Sequence, residues 1–323
     1  MHLESPIKIC FSITITDICN LNCSYCHFYN RKKYINRNTV LEKEIFDIYL
    51  KFMSFFYNKN NDYDVQIRFS GGEPLCVKEK LFDFSNAVFN EIGIKPYVLT
   101  NGVELNADVI NNAVKNNISR FVVSVENPFS VFRGSTHPQM ILEKIKQLST
   151  TSLPINLGVC LIDNENFDKI SDIASYFYNE VYELPSFLEV TFQDYVTPTD
   201  NQLNSLTNEL EKIISKYQNI NVAFDFFDYT VPELNHSNGN IYIIELDLNN
   251  SREISYDEST YEAFFNERLN SNYPFINCEE KDCFLFETCN RFKWVWKDKK
   301  KDFCRFKKAV YLAYYNYYYK EKI

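Results

Sequence analysis

The sequence predicts an α/β chain: a partial (β/α)6 TIM-like barrel over residues 1–219, followed by a small C-terminal α+β domain over 220–323. Three observations predict it. Apolar, β-branched runs alternate with helix-period segments six times between Ile7 and Tyr217, and repeated β-then-α units place parallel strands in one sheet. Six units fall short of the eight that close a full barrel. The unusual loops all follow strand C-termini, the face on which barrel enzymes carry their chemistry.

The elements follow in order. IKICFSITIT (7–16) reads as a strand. Residues 39–58 read as a helix, with Thr39 and Glu42 in a capping-box pattern. VQIRFS (65–70) is a strand, 78–92 a helix and PYVLT (96–100) a strand. Residues 106–116 form a helix opened by Asn106, and RFVVSVE (120–126) a strand. Helix 137–150 sets Ile141, Ile145 and Leu148 on one face, and INLGVCLI (155–162) is a strand. Helix 166–180 carries Ile170, Ile173, Ala174 and Phe177, and FLEVTF (187–192) is a strand. Helix 201–217 shows Leu203, Leu206, Leu210, Ile213 and Tyr217 at helical spacing. Beyond residue 220 the alternation stops. NVAFDFFDYTV and GNIYIIELDL read as short strands around a turn at Asn238–Gly239. A cysteine-containing segment (278–304) and an aromatic helix close the chain.

The chain has 323 residues, 45% hydrophobic and 16% aromatic, enough for a sizeable core. Its formal charge of −9 argues against a nucleic-acid partner. The basic run Lys299–Lys301 stands beside Asp298 and Asp302 and reads as a solvated loop. Residues 1–18 lack the pattern of a secretion signal, and no apolar run reaches the length of a membrane span. A cytoplasmic protein with no membrane partner is therefore expected. Ten cysteines in such a chain suggest metal ligation or catalysis rather than disulfides.

The first metal candidate is TDICNLNCSYCHFYN, with Cys19, Cys23 and Cys26 spaced C-x3-C-x2-C. A closed site wants four protein ligands, and His27, next to Cys26, is an awkward fourth. Spacing alone leaves zinc and iron–sulfur equal. Glycine is scarce, seven in all, and Gly71, Gly72, Gly102 and Gly134 fall in short loops. GGEP (71–74) follows strand 2, TNG (100–102) strand 3, and SVEN closes strand 4.

The triad with Tyr25 before its last cysteine, together with GGEP, TNG and SVEN, resembles the radical S-adenosylmethionine (SAM) enzymes. The resemblance spans 1–217 by architecture. It implies that Cys19, Cys23 and Cys26 hold three irons of a [4Fe–4S] cluster whose fourth iron takes SAM. An open coordination position is what separates catalytic from structural metals. It further implies that Gly71, Gly72, Glu73 and Pro74, with Thr100 and Asn101, hold SAM, with Glu73 accepting from its ammonium. Ser124 and Glu126, i and i+2 on one strand face, would meet the ribose. Tyr25 would pack near the adenine and Arg133 would meet a carboxylate.

The second candidate is Cys278-x4-Cys283-x5-Cys289-x14-Cys304. Four cysteines so close together in an intracellular chain fit a closed metal site. The segment resembles SPASM/twitch extensions that hold auxiliary [4Fe–4S] clusters. The match is partial: the first gap is long and the late Gly-Gly-Cys is absent. One auxiliary cluster is expected, with structural zinc, or Cys304 standing outside the site, as the other readings.

Cys10, Cys76 and Cys160 remain. Cys10 and Cys160 lie inside apolar strands and read as buried thiols. Cys76, just past GGEP, is a candidate hydrogen-atom donor, and Asp194 a candidate base. The Tyr-rich tail reads as core or docking surface. The resemblance implies an enzyme that cleaves SAM to a 5′-deoxyadenosyl radical and abstracts hydrogen from a peptide, with a flavodoxin- or ferredoxin-like electron donor. Because strand 1 begins near residue 7, leader recognition is expected from a separate protein or from the barrel. A small-molecule dehydrogenase or cyclase, and a non-catalytic metal-binding protein, are the alternatives.

Overall fold

The computed structural model describes residues 7–23, 26, 38–59, 63–126, 138–148, 153, 155–161, 169, 171–172, 175–176, 179, 187–192, 199–216, 221–224, 227–228, 241–246, 248, 258–272, 305, 308–309, 312–313 and 316. The strands are β1 (Ile7–Thr16), β2 (Tyr63–Gly71), β3 (Tyr97–Thr100), β4 (Arg120–Glu126), β5 (Ile155–Leu161), β6 (Phe187–Phe192), β7 (Asn221–Phe224), β8 (Phe227–Asp228) and β9 (Ile241–Leu246). The helices are α1 (Lys43–Lys59), α2 (Lys78–Ile92), α3 (Ala107–Lys115), α4 (Pro138–Leu148), α5 (Asp200–Lys216) and α6 (Tyr261–Asn272). Among the described residues the strands form one open sheet, ordered β8-β7-β6-β5-β4-β3-β2-β1-β9. Every neighbouring pair is parallel except β7–β8. This is the α/β partial-barrel architecture expected from the six βα units.

Alternation sets the two faces of each strand. Ile9, Phe11, Ile13 and Ile15 of β1 are each at most 1% exposed and face the helix layer, where Phe11 meets Phe52 of α1 edge-on at 5.8 Å. Ile67 and Phe69 of β2 and Phe121, Val123 and Val125 of β4 are buried in the same way. The opposite face of β1 carries Cys10, Ser12, Thr14 and Thr16, also buried. That second face lines the lumen of the open barrel.

Two local expectations change. The α1 helix opens at Lys43 rather than Thr39, with Phe46 N–H donating to the Glu42 carbonyl at 3.0 Å. Thr39 is not its cap, because its backbone is bonded to the end of β1. Helix α3 keeps its predicted cap, since the Asn106 side chain accepts from Val109 N–H at 2.9 Å. The strands either side of Asn238–Gly239 do not pair with one another. β7 pairs with β6 and β8, and β9 with β1, toward opposite ends of the sheet. Residues buried on both faces need a neighbour, and the apolar β9 completes the β1 edge. Helix α6 then packs on α1 as a further β-then-α unit: Phe264 meets Phe52 at 5.4 Å and Phe265 stacks on Phe56 at 4.1 Å. Such aromatic pairs contribute about 0.5–1.5 kcal/mol each beyond area burial.

The tail is helical at its described positions 305, 308–309, 312–313 and 316. It docks on α5. Ala309 and Ala313 are buried, Thr207 Oγ1 donates to the Ala309 carbonyl at 3.1 Å, and Arg305 pairs with Asp200 at 2.6 Å. The tail tyrosines Tyr311, Tyr314, Tyr315 and Tyr317 to Tyr319, whose core or docking role the sequence suggested, lie outside the described residues.

Candidate active site

Strand β1 ends in an irregularity between Thr14 and Thr16, which brings Thr16 opposite Gly71. The chain then leaves the sheet for the cysteine loop and returns to the same point. Asp17 N–H donates to the Thr39 carbonyl at 3.1 Å, and Thr39 N–H donates to Asp17 Oδ1 at 2.7 Å. Thr16 Oγ1 donates to the same carbonyl at 2.9 Å, and Leu41 N–H to the Ile15 carbonyl at 2.8 Å. The neck of the loop is thereby fastened to the barrel.

Cys19 is exposed, and Cys23 and Cys26 are half-buried. With Cys10 and Cys76 they form no disulfide. Leu21 N–H donates to Cys19 Sγ at 3.4 Å, and the Asn101 amide approaches it at 3.9 Å. Burial pushes the Cys19 thiol up, with Glu73 and Cys26 adding to the effect against the Leu21 and Asn101 donors. Ligation must then displace a proton. Among the described residues no three Cys, His, Asp or Glu side chains converge to hold one metal ion. An all-sulfur donor set on one short loop fits an iron–sulfur cluster.

The GGEP loop lies against that neck. Gly72 N–H donates to the Thr16 carbonyl and Glu73 N–H to the Ile18 carbonyl, both at 2.7 Å. A Cβ on Gly71, whose φ is +146°, would sit 2.2 Å from Thr16 O; one on Gly72 would sit 2.2 Å from Ile18 O. Both glycines are therefore required by close backbone approach.

Glu73 is fully buried. Its Oε1 accepts from Leu75 N–H at 3.0 Å and Thr100 Oγ1 at 2.7 Å, and its Oε2 from Asn101 N–H at 2.6 Å. Pro74 opens the short 3₁₀ turn Pro74–Val77 that Glu73 caps. Asn101 carries the linkage onward, its amide donating to Asn20 Oδ1 at 2.8 Å. Glu73 and Asn101 thus join the loops after β1, β2 and β3. The sequence placed Glu73 toward a ligand; its carboxylate oxygens are both engaged within the protein.

Cys76 is exposed and lies by the cysteine loop. Burial, then the Glu73 carboxylate and Cys19, push its thiol up against a hydrogen bond from Asn20 N–H. Ser124 is half-buried on β4, and Glu126 ends that strand, in register with Gly158 and Cys160. Tyr25, Arg133, Asp194 and Cys278, Cys283, Cys289 and Cys304 lie outside the described residues, as does the side chain of Cys160.

Sequence reasoning missed the polar lumen. Arg68 is 9% exposed, and its Nε donates to Ser12 Oγ at 2.8 Å. Arg120 lies over the Tyr97 ring, 4.3 Å from its centroid. The available signal was the alternation of Gln66, Arg68 and Ser70 with Val65, Ile67 and Phe69.

The family model described as "Radical SAM superfamily" matches residues 13–177. A GTP 3′,8-cyclase of Aquifex aeolicus (strain VF5) is 24% identical over 322 residues, 92% of this chain and 91% of the relative. Among solved structures, anSMEcpe with bound AdoMet superposes with a TM-score of 0.65 at 15% identity, covering 98% of this chain and 94% of the other. SuiB of Streptococcus suis bound to the precursor peptide SuiA does so with a TM-score of 0.59 at 14% identity, covering 90% and 72%.

Proposed function

This chain belongs to the radical SAM superfamily, and from that membership we propose an enzyme that acts on a peptide. When bound, the [4Fe–4S] cluster and SAM supply reductive cleavage to methionine and a 5′-deoxyadenosyl radical, which abstracts hydrogen from the substrate. Cys19, Cys23 and Cys26 hold three irons, and the Asn101 amide braces Cys19. The backbone of Gly71–Pro74 lines the SAM position and Glu73 fixes that backbone to Thr100 and Asn101. Ser124, Glu126 and Tyr25 meet the nucleoside, and Arg133 a carboxylate. Cys76 returns a hydrogen atom to the product radical and Asp194 serves as a base.

The observation that carries the reading is the junction of three loops: the cysteine neck, GGEP and TNG are bonded to one another at the C-terminal ends of β1, β2 and β3. The peptide assignment is supported by Cys278, Cys283, Cys289 and Cys304, whose pattern resembles the auxiliary-cluster extensions of peptide maturases, from about residue 220 onward. In this reading the enzyme is cytoplasmic. It draws electrons from a flavodoxin or ferredoxin and works with a separate leader-recognition protein. A second reading, a small-molecule cyclase, is favoured by one observation: the relative matched over most of both chains is named a GTP 3′,8-cyclase.

The test is anaerobic reconstitution with SAM and a strong reductant, with 5′-deoxyadenosine as readout. A peptide from a neighbouring short reading frame should stimulate its formation. Stimulation by GTP instead selects the second reading. No 5′-deoxyadenosine from a fully iron-loaded sample rejects both.

A further inference from the structure

Below the cysteine loop, the lumen face carries positive charge that the chemistry above does not use. Ser12 on β1, Arg68 on β2, Tyr97 on β3 and Arg120 on β4 are successive partners across the sheet. Arg68 is three positions before Gly71 and Tyr97 three before Thr100, so this row lies about 10 Å below the loops. Arg68 is anchored on Ser12. Arg120 lies over the Tyr97 ring, its guanidinium carbon 4.3 Å from the centroid, a cation–π contact that uses no N–H donor. Its Nε is buried and has no hydrogen-bond partner among the described residues.

Arg120 as a whole is half-buried, but an Nε–H withdrawn from water calls for an acceptor, and on a cationic group an anion serves best. Among the described residues its neighbours do not supply one. Tyr97 hydroxyl and Cys10 Sγ lie 3.5 Å apart, and burial pushes both groups up, so both are neutral at pH 7. In register, Glu245 of β9 lies beside Ser12, next to Arg68 and at the far end of the row from Arg120. On the other side the pairing of β4 with β5 begins only at Phe121. Among the described residues the row therefore ends on a cation with neutral neighbours, on the face that lines the lumen.

We propose that Arg120, backed by Tyr97 and flanked by Arg68, is an oxyanion subsite at the floor of the lumen, which holds a carboxylate or phosphate of the substrate. The planar fork of arginine suits either group in bidentate fashion. Anchoring one end there sets which part of the substrate stands under the radical-generating loops. The assignment of the anion to a substrate rests on the radical SAM reading; the binding of an anion does not.

The test uses the full-length reconstituted protein with SAM, titrated calorimetrically with inorganic pyrophosphate and, separately, with succinate. At least one should bind saturably. Arg120→Gln should weaken it by at least about 10-fold, as expected for loss of a charge-assisted bidentate contact. Lys43→Gln, on the exposed side of α1, should not change it. Binding of pyrophosphate alone assigns a phosphate, of succinate alone a carboxylate, and of both a general oxyanion site. Should Arg120→Gln fold poorly, arginine labelling of the wild type by phenylglyoxal gives the same reading. The bound anion should slow modification of Arg120, located by mass spectrometry. Equal affinity in wild type and Arg120→Gln, equal loss in Lys43→Gln, absence of binding by either anion, or unprotected labelling would overturn the subsite. 5′-Deoxyadenosine formation, measured on the same samples, tests the enzyme reading separately.

Discussion

Replacing Glu73 with glutamine keeps the volume of the side chain and removes one acceptor. In the better orientation the amide oxygen still serves Leu75 N–H and Thr100 Oγ1, as Oε1 does now. The amide nitrogen then faces Asn101 N–H, a donor against a donor where a 2.6 Å bond stood. The opposite orientation orphans two donors and is worse. One hydrogen bond to a carboxylate is worth about 1.5–3 kcal/mol, and a stranded buried donor costs about 1–3 kcal/mol. These overlap, so a net loss of about 2–4 kcal/mol is expected. For a chain of this length that is a fall in Tm of roughly 3–6 °C. The assay is urea unfolding of the full chain followed by circular dichroism, without cluster and without SAM. The loss should be present there, because the bonds are internal to the protein. If Glu73→Gln matches the wild type to within about 0.5 kcal/mol and is impaired only in SAM binding, Glu73 is a ligand residue and the strut argument fails.

Gly72→Ala drives a Cβ to 2.2 Å from the Ile18 carbonyl; it should displace the cysteine neck and reduce iron content on reconstitution, while Lys43→Gln does not. Replacing Cys283 or Cys289 with alanine should lower the iron count from about eight per chain to about four, with 5′-deoxyadenosine formation retained; a count of about four in the wild type retires the auxiliary cluster. Glu209 is buried on α5 and accepts from Ser171 N–H at 3.0 Å, from the Ser171 hydroxyl and from Lys212. Burial acts to raise its carboxyl, but Lys212 and the Ser171 donors prevail and hold it below its usual range. Its stabilising contribution is therefore present above the unfolded value and lost as pH falls through the folded one. The stability gap between wild type and Glu209→Gln should be wide at pH 7 and should shrink toward acid in urea titrations. A gap independent of pH would reject the linkage.

The alternation of strands and helices was legible because parallel strands are buried on both faces and stand out as apolar runs. The start of α1 was not. Thr39 and Glu42 fit a capping box, yet the Thr39 backbone is spent on Asp17 and Thr16, a contact that no local pattern announces. The partners of β7 and β9 were equally hidden. A turn signal at Asn238–Gly239 suggests that the strands on either side pair with each other, whereas β9 pairs with β1 and β7 with β6 and β8. In the site, the two glycines of GGEP were legible by type and place. The direction of the Glu73 carboxylate was not, because it depends on Thr100 and Asn101 arriving from the next strand. Arg68 and Arg120 were missed because charge in a short strand reads as a solvated face, whereas an open barrel has a second interior.

The placement of β9 also orders events on the ribosome. Strand β1 is made first, and β2 can cover one of its edges early. Its other edge waits for Ile241–Leu246, since Ile9 lies opposite Tyr242 and Phe11 opposite Ile244. Until then the nascent chain presents an apolar strand with unpaired backbone, the kind of edge that recruits other chains. The cysteine loop hangs from the end of that same strand. A growing polypeptide therefore keeps that edge open until Ile241–Leu246 is made, and productive metal loading belongs after β9 has paired with β1.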